Sequence, residues 1–342
     1  MSENSKIEWC DHTFNPWEGC QKVGPGCDHC YAETHNARFG GGTAVNWEAG
    51  APRRRTSAAN WRKPLHWNRD GTFYALHRRR QRVFCASLAD VFDNAVDPAW
   101  RADLFRLIAD TPNLDWLLLT KRIGNVESMV QEVTDHVFSP DPLRPARLPD
   151  NVWLGATIVN QAEADRDIPK LLAVPARVRF LSMEPLLGPV ALRDDWIDRN
   201  PARGRFGCVM PGDPASTRYG MPPTIDWVIV GGESGPAARP MRPEWVRSLR
   251  DQCAAVGVPF LFKQWGEWRP HDPENADQPL IADPRYSRYI AAPDNRARPA
   301  HVYGQRREAC RDHTLWMQRV GKRAAGRLLD GRTYNEFPED VA

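Results

Sequence analysis

Six short runs of mostly apolar residues recur between residues 82 and 266, and each run has one or more polar residues towards its end. Helix-like stretches at 98–110, 161–173 and 243–256 separate several of them. Apolar strands that alternate with helices are typical of parallel sheets buried on both faces. The chain is therefore expected to form an α/β fold, a complete or partial (β/α) TIM-type barrel with loop insertions, with an open doubly wound sheet as the alternative. The runs are RVFCASLADVF (82–92), LDWLLLTKR (114–122), NVWLGATIV (151–159), RVRFLSMEP (177–185), IDWVIVGGESG (225–235) and VPFLFKQWG (258–266).

Both architectures gather the carboxyl ends of their strands at one edge, where ligands bind. We therefore expect the functional site at that edge. A network of salt bridges between strand ends is the alternative role for any one charged residue there. The residues at the predicted strand ends are Ser87, Asp90, Thr120 to Arg122, Thr157, Glu184, Gly231 to Ser234, and Lys263 to Trp265.

Residues 1–342 are interpreted as a single barrel domain with four segments outside the repeat. Two of them are an N-terminal cysteine loop, 10–35, and an Arg/Trp-rich segment, 45–82. The other two, 193–223 and 268–313, are long for loops in a compact domain and are expected to be insertions at the barrel mouth. The C-terminal stretch is expected to be a packing helix and tail.

No run approaches the roughly 18 apolar residues of a membrane-spanning helix, and the N-terminal stretch lacks the profile of a secretory signal. The protein is therefore expected in the cytoplasm, with no membrane partner. Thiols stay reduced in that compartment. The eight cysteines are thus better explained by metal binding, catalysis or burial than by disulfides.

Three cysteines, Cys20, Cys27 and Cys30, lie in the stretch GCQKVGPGCDHCYAE, which has few aliphatic residues to build a core. A Cys-x-x-Cys pair can place two thiolates at one metal centre, and the first cysteine supplies a third. Structural zinc usually takes four closed ligands, whereas an iron–sulfur cluster can leave one iron open. A [4Fe–4S] cluster is therefore favoured, with zinc and redox or structural thiols as alternatives. Zinc stays open because other ligand types lie nearby, namely Cys10, His12, His29 and His35.

The segment 45–82 contains two runs of arginine together with Trp47, Trp61, Trp67 and Tyr74. Arginines interleaved with aromatic residues can contact phosphates and stack on bases. The segment therefore predicts a DNA- or RNA-binding surface, with a solvated arginine-rich loop as the alternative. The arginines predicted to bind nucleic acid are Arg53, Arg54, Arg55, Arg78, Arg79 and Arg80.

The chain resembles the phage-associated three-Cys-motif family of uncharacterised proteins. The resemblance is carried by IEWCDHTFNPWEGCQKVGPGCDHCYAE, VGGESG, KQWG and AGRLLDGRTYNEFP, and extends from the N-terminal motif to the C-terminal tail. That family is similar to radical S-adenosylmethionine (SAM) enzymes, including the group with spore photoproduct lyase. The resemblance implies a [4Fe–4S] cluster on Cys20, Cys27 and Cys30, with SAM on the open iron. Cys10, beside Trp9, is expected to be a buried thiol and not a ligand.

In enzymes of that kind, one electron from the reduced cluster cleaves SAM into methionine and a 5′-deoxyadenosyl radical. The resemblance also implies that strand-end residues bind the cofactor. Carboxylates would accept from its ammonium or ribose, and cations would bind its carboxylate or a phosphate, with Lys121 and Arg122 as further cations at this edge. The predicted cofactor-binding residues are Glu184, Gly231, Gly232, Glu233 and Lys263.

Three functions are consistent with the sequence. The favoured one is a radical SAM-like enzyme that modifies or repairs DNA or RNA and is supplied with electrons by a reductant protein. The second is a non-catalytic iron–sulfur or zinc nucleic-acid-binding component of a two-component phage or defence system, with a partner protein encoded nearby. The third is a radical SAM-like enzyme for a small molecule or peptide. The fold class cannot choose among them, because barrels carry many chemistries.

Overall fold

The computed structural model describes residues 4–69, 71–137, 147–198, 223–270, 288–291, 297–299 and 315–338. Their strands are β1 (His12–Phe14), β2 (Trp17–Glu18), β3 (Arg54–Arg55), β4 (Gln81–Cys85), β5 (Leu114–Thr120), β6 (Val152–Thr157), β7 (Val178–Met183), β8 (Trp227–Gly231), β9 (Phe260–Gln264), β10 (Trp268–Pro270), β11 (Arg288–Ala291), β12 (Ala297–Pro299) and β13 (Leu315–Arg319). Their α-helices are α1 (Tyr31–Phe39), α2 (Ala58–Trp61), α3 (Lys63–Arg69), α4 (Gly71–His77), α5 (Pro98–Ala109), α6 (Val126–Val137), α7 (Gln161–Ala173), α8 (Asp194–Ile197), α9 (Pro243–Val256) and α10 (Lys322–Ala325). The six apolar runs are the strands β4 to β9, and a helix follows each of the first five.

Seven strands form one sheet in the order β1-β4-β5-β6-β7-β8-β9, and every neighbouring pair is parallel. A doubly wound sheet reverses its strand order at a switch point. This sheet has no reversal, so the doubly wound alternative is wrong. The predicted α/β class is confirmed, with a sheet compatible with a partial barrel; within the described residues β1 and β9 do not pair.

Local sequence signals set the ends of the predicted helices. Asp97 accepts a hydrogen bond from the Ala99 amide and Pro98 opens α5. Gly257, with a φ of 75°, ends α9 in the left-handed region. The apolar faces of α5, α7 and α9 pack on the outer side of the sheet in one large core cluster. These helices fix the strands whose carboxyl ends carry the predicted site.

The inner side of the sheet has its own apolar cluster, which the ends of the described chain help to fill. Trp9 packs against Phe84 and Phe180 at ring-centroid distances of 4.5 and 6.3 Å. Phe337, near the other end, packs against Trp227 at a ring-centroid distance of 5.0 Å. Inward-facing residues of β5 to β9 complete the cluster. The interior below the carboxyl edge is therefore packed and not an open channel.

The C-terminal tail covers the exposed edge of β9. Asn335 bridges antiparallel to Leu261, and the Phe262 amide donates to the Tyr334 carbonyl at 3.1 Å. The Trp227 indole donates to the Glu336 carbonyl at 2.9 Å. An uncovered edge strand is a template for association with other chains. The tail therefore has the packing role expected from the sequence, but the expected helix is limited to the four residues of α10, and strand β13 precedes it.

The insertions lie partly outside the described residues. Helix α8 begins the 193–223 insertion, and residues 199–222 lie outside. In the 268–313 insertion, β10, β11 and β12 combine with β13 in an antiparallel sheet of order β10-β13-β11-β12. This sheet follows the carboxyl end of β9, and Arg319 donates to the Gly235 carbonyl after β8 at 3.1 Å. The described part of this insertion thus lies at the edge that carries the site.

Among the helices that the structure describes, none combines the length and the apolar character needed to cross a membrane.

Candidate functional site

The cysteine loop crosses the carboxyl edge of the sheet. Arg122, after β5, donates Nη2–H to the Gln21 carbonyl at 2.8 Å. Gly26 packs against residues that follow β6 and β7 so closely that a Cβ would lie 2.8 Å from a side-chain carbon. Arg239, after β8, donates to the Pro25 carbonyl at 2.9 Å. The loop is therefore held over the ends of four neighbouring strands.

All three predicted metal ligands line one cavity of about 120 Å³ at this edge. Cys27 is buried, and Cys20 and Cys30 are partly buried. The facing wall comes from the ends of β4, β5 and β6, so the cavity lies between the loop and the sheet. Its strand-end residues include Phe84, Ser87, Asp90, Leu119, Lys121 and Thr157.

The four additional ligands considered for zinc have other surroundings, and His35 packs against the Phe39 ring at a centroid distance of 4.8 Å. Cys10 is buried in the inner apolar cluster, where desolvation raises its thiol pKa to about 12. The His12 ring bonds to the Gln81 amide oxygen, and His29 Nδ1 lies 3.1 Å from Glu233 Oε2. Within the part of the chain that the structure describes, no three Cys, His, Asp or Glu side chains are close enough to hold a single metal ion.

Arg122 lies against Cys20 at the cavity wall. Its Nη1 donates to Cys20 Sγ at 3.4 Å and to Asp90 Oδ2 at 3.3 Å. Asp90 also accepts from Thr120 Oγ1 at 2.8 Å and from the Lys121 amide at 3.0 Å, which fixes the carboxylate. Burial raises the pKa of the Cys20 thiol, and the Arg122 guanidinium opposes that rise. A fixed cation beside Cys20 favours the thiolate form that a metal ligand needs.

The wall of the cavity also carries a buried hydroxyl without a partner. Thr157 is 4% exposed, and its Oγ1 has no hydrogen bond to any of the described residues. Lys121 and Thr157 line both the main cavity and a smaller one of about 10 Å³, roughly the space for one water. Because buried polar groups are normally hydrogen-bonded, Thr157 indicates a place for a polar ligand or a water.

Glu163 faces that smaller cavity and was not predicted from the sequence. Its Oε2 accepts from the Val159 amide at 3.0 Å, and Asn160 caps α7 by accepting from the Glu163 amide at 3.0 Å. Burial raises the pKa of the Glu163 carboxyl, and the Val159 amide opposes the rise. The signal that points to Glu163 is the Asn-x-x-Glu pattern of a capping box.

Glu184 and Lys263, two predicted cofactor-binding residues, form an ion pair at the other side of the edge. Lys263 Nζ lies 2.7 and 3.0 Å from the two Glu184 oxygens, and Gln264 donates to Oε1 at 3.0 Å. Burial alone raises the pKa of Glu184, but the Lys263 ammonium and the Gln264 amide outweigh it, so the pKa lies below its ordinary value. At Gly231 a Cβ would lie 3.1 Å from Glu184 Cδ, so the glycine leaves room for this pair.

Glu233 and Gly232, also predicted to bind the cofactor, are engaged in holding the edge together. Arg239 donates to both Glu233 oxygens, and its Nη1 lies 3.0 Å from Asp28 Oδ2 in the cysteine loop. Burial raises the pKa of Glu233, but the Arg239 hydrogen bonds outweigh it and the pKa lies below the ordinary value. A Cβ on Gly232 would lie 2.0 Å from the Trp265 carbonyl oxygen. Arg239 was not predicted, and no sequence pattern marks it.

The two arginine runs lie at opposite edges of the sheet. Arg53 pairs with Asp93, which follows the carboxyl end of β4, through Nε and Oδ2 at 2.7 Å. Arg79 binds Asp11, which precedes the amino end of β1, with two hydrogen bonds of 2.6 and 2.8 Å. Arg80, at the amino end of β4, is 3.5 Å from Asp115. The two runs therefore do not form one continuous surface.

Burial corrects part of the predicted nucleic-acid surface. The Arg53 side chain is 1% exposed, and Trp47 and Trp67 are 4% exposed, so none of them can contact a polyanion at the surface. Trp47 instead lines the cysteine cavity. The reason is tertiary: Asp93 neutralises Arg53 inside the protein, Trp47 packs in a small cluster with Ala32 and Leu88, and Trp67 packs in the main core.

The other predicted arginines differ in their exposure and in whether they pair with an acidic residue. Arg55 pairs with Asp103 at 2.8 Å and lies over the Trp61 ring at 4.4 Å. Arg54 is exposed and pairs with Glu18. Arg78 is exposed, and no side-chain bond to it is present among the described residues. The available part of the predicted set is therefore centred on Arg54 and Arg78.

Comparisons with known proteins give a family but no function. No curated protein matches the chain, and no solved structure matches it. A family model described as "Protein of unknown function (DUF5131)" matches residues 4–338, which is nearly the whole chain. The chain with the cysteine cavity at its sheet edge therefore belongs to the DUF5131 family.

Proposed function

We propose that this protein binds a [4Fe–4S] cluster through Cys20, Cys27 and Cys30 and acts on nucleic acid as a radical SAM-like enzyme in a partial TIM-type barrel. The observation that carries the proposal is the single cavity of about 120 Å³ lined by all three thiols at the carboxyl edge of a parallel sheet. The resemblance of the motifs to the three-Cys-motif family supports the same chemistry.

The donor set fits a cluster with one open iron. The cavity has three thiols, and its one carboxylate, Asp90, is already bonded to Thr120, the Lys121 amide and Arg122. Thiolates of a four-iron cluster bind separate irons, so they do not need the close approach of ligands to one ion. When bound, such a cluster supplies a single electron for cleavage of the SAM sulfonium bond.

The residues around the cavity have separate roles in this proposal. Arg122 orients Cys20, and its guanidinium partly offsets the negative charge of the thiolate sulfur. A hydrogen bond of this kind affects the reduction potential of a cluster. Lys121 and Thr157 donate hydrogen bonds to carboxylate or hydroxyl oxygens of the cofactor. The Glu184–Lys263 pair binds polar groups at the opposite side of the mouth. The apolar inner cluster keeps water from the lower side of the site.

Anaerobic reconstitution tests the proposal directly. Iron and sulfide analysis should give about four of each per chain, and dithionite should produce a cluster signal in electron paramagnetic resonance that changes when SAM is added. Production of 5′-deoxyadenosine should follow. Cys27→Ala should lose the iron, whereas the matched Cys10→Ser variant should keep it. Stoichiometric zinc without iron under these conditions contradicts the proposal.

A second candidate is a radical SAM-like enzyme for a small molecule or peptide. It is favoured by the burial of Arg53, Trp47 and Trp67, which reduces the predicted nucleic-acid surface. Stimulation of 5′-deoxyadenosine production by an oligonucleotide separates the two enzymes. Cluster binding without any SAM cleavage would instead support the non-catalytic nucleic-acid-binding component with a partner protein.

A further inference from the structure

Positive charge is concentrated in the helices between the cysteine loop and β4. Residues 58–80 contain six lysines and arginines and one acidic residue, Asp70, which lies outside the described residues. This segment alone therefore carries more net positive charge than the +3 of the whole chain. The remainder of the chain is net negative, so this segment is one of the places where the chain attracts a polyanion.

Basic side chains in the first part of this segment form an exposed stripe. Arg62, His66 and Arg69 are spaced at i, i+4 and i+7, and all are exposed. Pro64 and Trp67 are buried on the opposite side of α3. Within the described residues, no carboxylate pairs with the side chains of this stripe. We define the basic face as Arg62, Lys63, His66, Arg69, Tyr74 and Arg78.

An aromatic ring extends the stripe along α4. Tyr74 is 55% exposed, and Arg78 lies one helical turn further, where its amide donates to the Tyr74 carbonyl at 2.9 Å. Cations that follow a phosphate backbone, with an aromatic ring beside them, are typical of surfaces that bind single-stranded nucleic acid. A duplex offers no unpaired base to Tyr74.

The basic face begins next to the cysteine cavity. Asn60, in α2, donates to the Asn15 carbonyl at 3.0 Å, and the Asn15 amide donates to Ser87 Oγ at 3.0 Å. Ser87 is part of the cavity wall. At the other end of α3, the Trp67 carbonyl accepts from Gln81 at the amino end of β4. The face therefore runs along the flank of β1, away from the mouth.

From this placement and charge we propose that the basic face binds a single strand of nucleic acid and guides it towards the cysteine cavity. The inference rests on the nucleic-acid part of the proposed function and replaces the two arginine triplets as the docking surface. Phosphates contact Arg62, Lys63 and Arg69, and an unpaired base stacks on Tyr74.

Binding of the reconstituted full chain to a fluorescent 20-nucleotide DNA strand, measured by anisotropy from 50 to 200 mM salt, tests this. Replacing Arg62, Lys63 and Arg69 together by alanine should reduce the salt slope by about 2, at roughly 0.7 per phosphate on a single strand. A control variant removes three cations that have acidic partners elsewhere, Arg106, Arg193 and Arg247, and should leave the slope unchanged. Tyr74→Ala should weaken binding about fivefold or more without changing the slope.

Each other outcome contradicts the inference. Equal losses in both triple variants would show a general charge effect, and equal binding of a duplex of the same sequence would remove the base-stacking role. Binding only to vesicles that contain phosphatidylserine would indicate a membrane surface. Iron content and 5′-deoxyadenosine are measured on the same samples. Absence of nucleic-acid binding by the unsubstituted protein with an intact cluster therefore refutes the basic face and leaves the cluster proposal standing.

Discussion

Arg239 binds Glu233 through three hydrogen bonds. Its Nη2 donates to Oε1 at 2.6 Å, and its Nε and its own backbone amide donate to Oε2 at 2.9 and 2.7 Å. The same guanidinium reaches the cysteine loop at Pro25 and Asp28. The glutamate of the Gly-Gly-Glu stretch is therefore connected to the turn that contains Cys27, and its position controls that of the loop.

Arg239→Ala should destabilise the protein and loosen the cysteine loop. The Glu233 side chain is 4% exposed, and loss of the cation leaves a buried carboxylate without its main partner, at about 3 kcal/mol in the free energy of unfolding. Chemical denaturation measures that change, and iron loss to a chelator measures the loop. Arg239→Lys keeps the charge without the planar fork of the guanidinium, so its free energy of unfolding should lie between those of the unsubstituted protein and Arg239→Ala. Unchanged iron retention in Arg239→Ala would show that the Arg239–Glu233 ion pair does not hold the cysteine loop in position.

The two glycines of the stretch should differ in how they tolerate alanine. A methyl group at Gly231 meets the flexible Glu184 side chain at 3.1 Å, which can move at a cost of about 1 kcal/mol. A methyl group at Gly232 meets the Trp265 backbone oxygen at 2.0 Å, which cannot move without displacing β9, so the cost should exceed about 3 kcal/mol. Urea unfolding of the two variants measures the difference. A similar loss in the free energy of unfolding for both variants would mean that the backbone at Trp265 can shift to accommodate the methyl group at Gly232.

Thr157→Val should separate stability from ligand binding. The hydroxyl has no partner among the described residues, so its replacement by a methyl group should leave the free energy of unfolding unchanged or raise it by about 1 kcal/mol. The same variant should weaken SAM binding, because a donor at the cavity wall is lost. Thr157→Ser keeps the hydroxyl and serves as the control in calorimetric titration with SAM. Equal affinities for the two variants would remove Thr157 from the binding site.

Asp330 should make the tail sensitive to acid. Hydrogen bonds from Arg247 at 2.7 Å and Arg250 at 2.6 Å hold the pKa of Asp330 below its ordinary value. A lowered pKa in the folded state stabilises the protein above about pH 4, and that contribution is lost as the pH falls through the folded value. Because Asp330 is partly exposed, Asp330→Asn should cost about 0.5–1 kcal/mol at pH 7.

Unfolding curves of the unsubstituted protein and the Asp330→Asn variant, recorded over a series of pH values, test this prediction. Asn adopts positive φ as readily as Asp, so the φ of 50° at this position does not confuse the comparison. The two curves should converge once the pH falls below the lowered folded-state pKa of Asp330, because the carboxyl is then protonated in both states. A difference that persists at low pH would point to packing instead of charge.

The sequence alone determined the parallel α/β class and the strands β4 to β9. It did so because parallel strands that are buried on both faces need continuous apolar runs, and such runs can be located directly in the sequence. It also placed the polar strand ends at one edge, since parallel strands in one sheet end together. The position of the cysteine loop over that edge came from the tertiary structure. The glycines next to Cys27 also predicted a tight loop, because glycine tolerates backbone conformations that other residues avoid.

Only the tertiary structure decided which of the charged residues are available. Arg53 and Arg54 are neighbours in the sequence, yet the first is buried against Asp93 and the second is exposed. Glu184 pairs with Lys263, 79 residues away, and Glu233 pairs with Arg239, which no pattern marks. Sequence patterns report local periodicity, whereas the partner of a charge depends on which strand ends the fold brings within about 3 Å of each other.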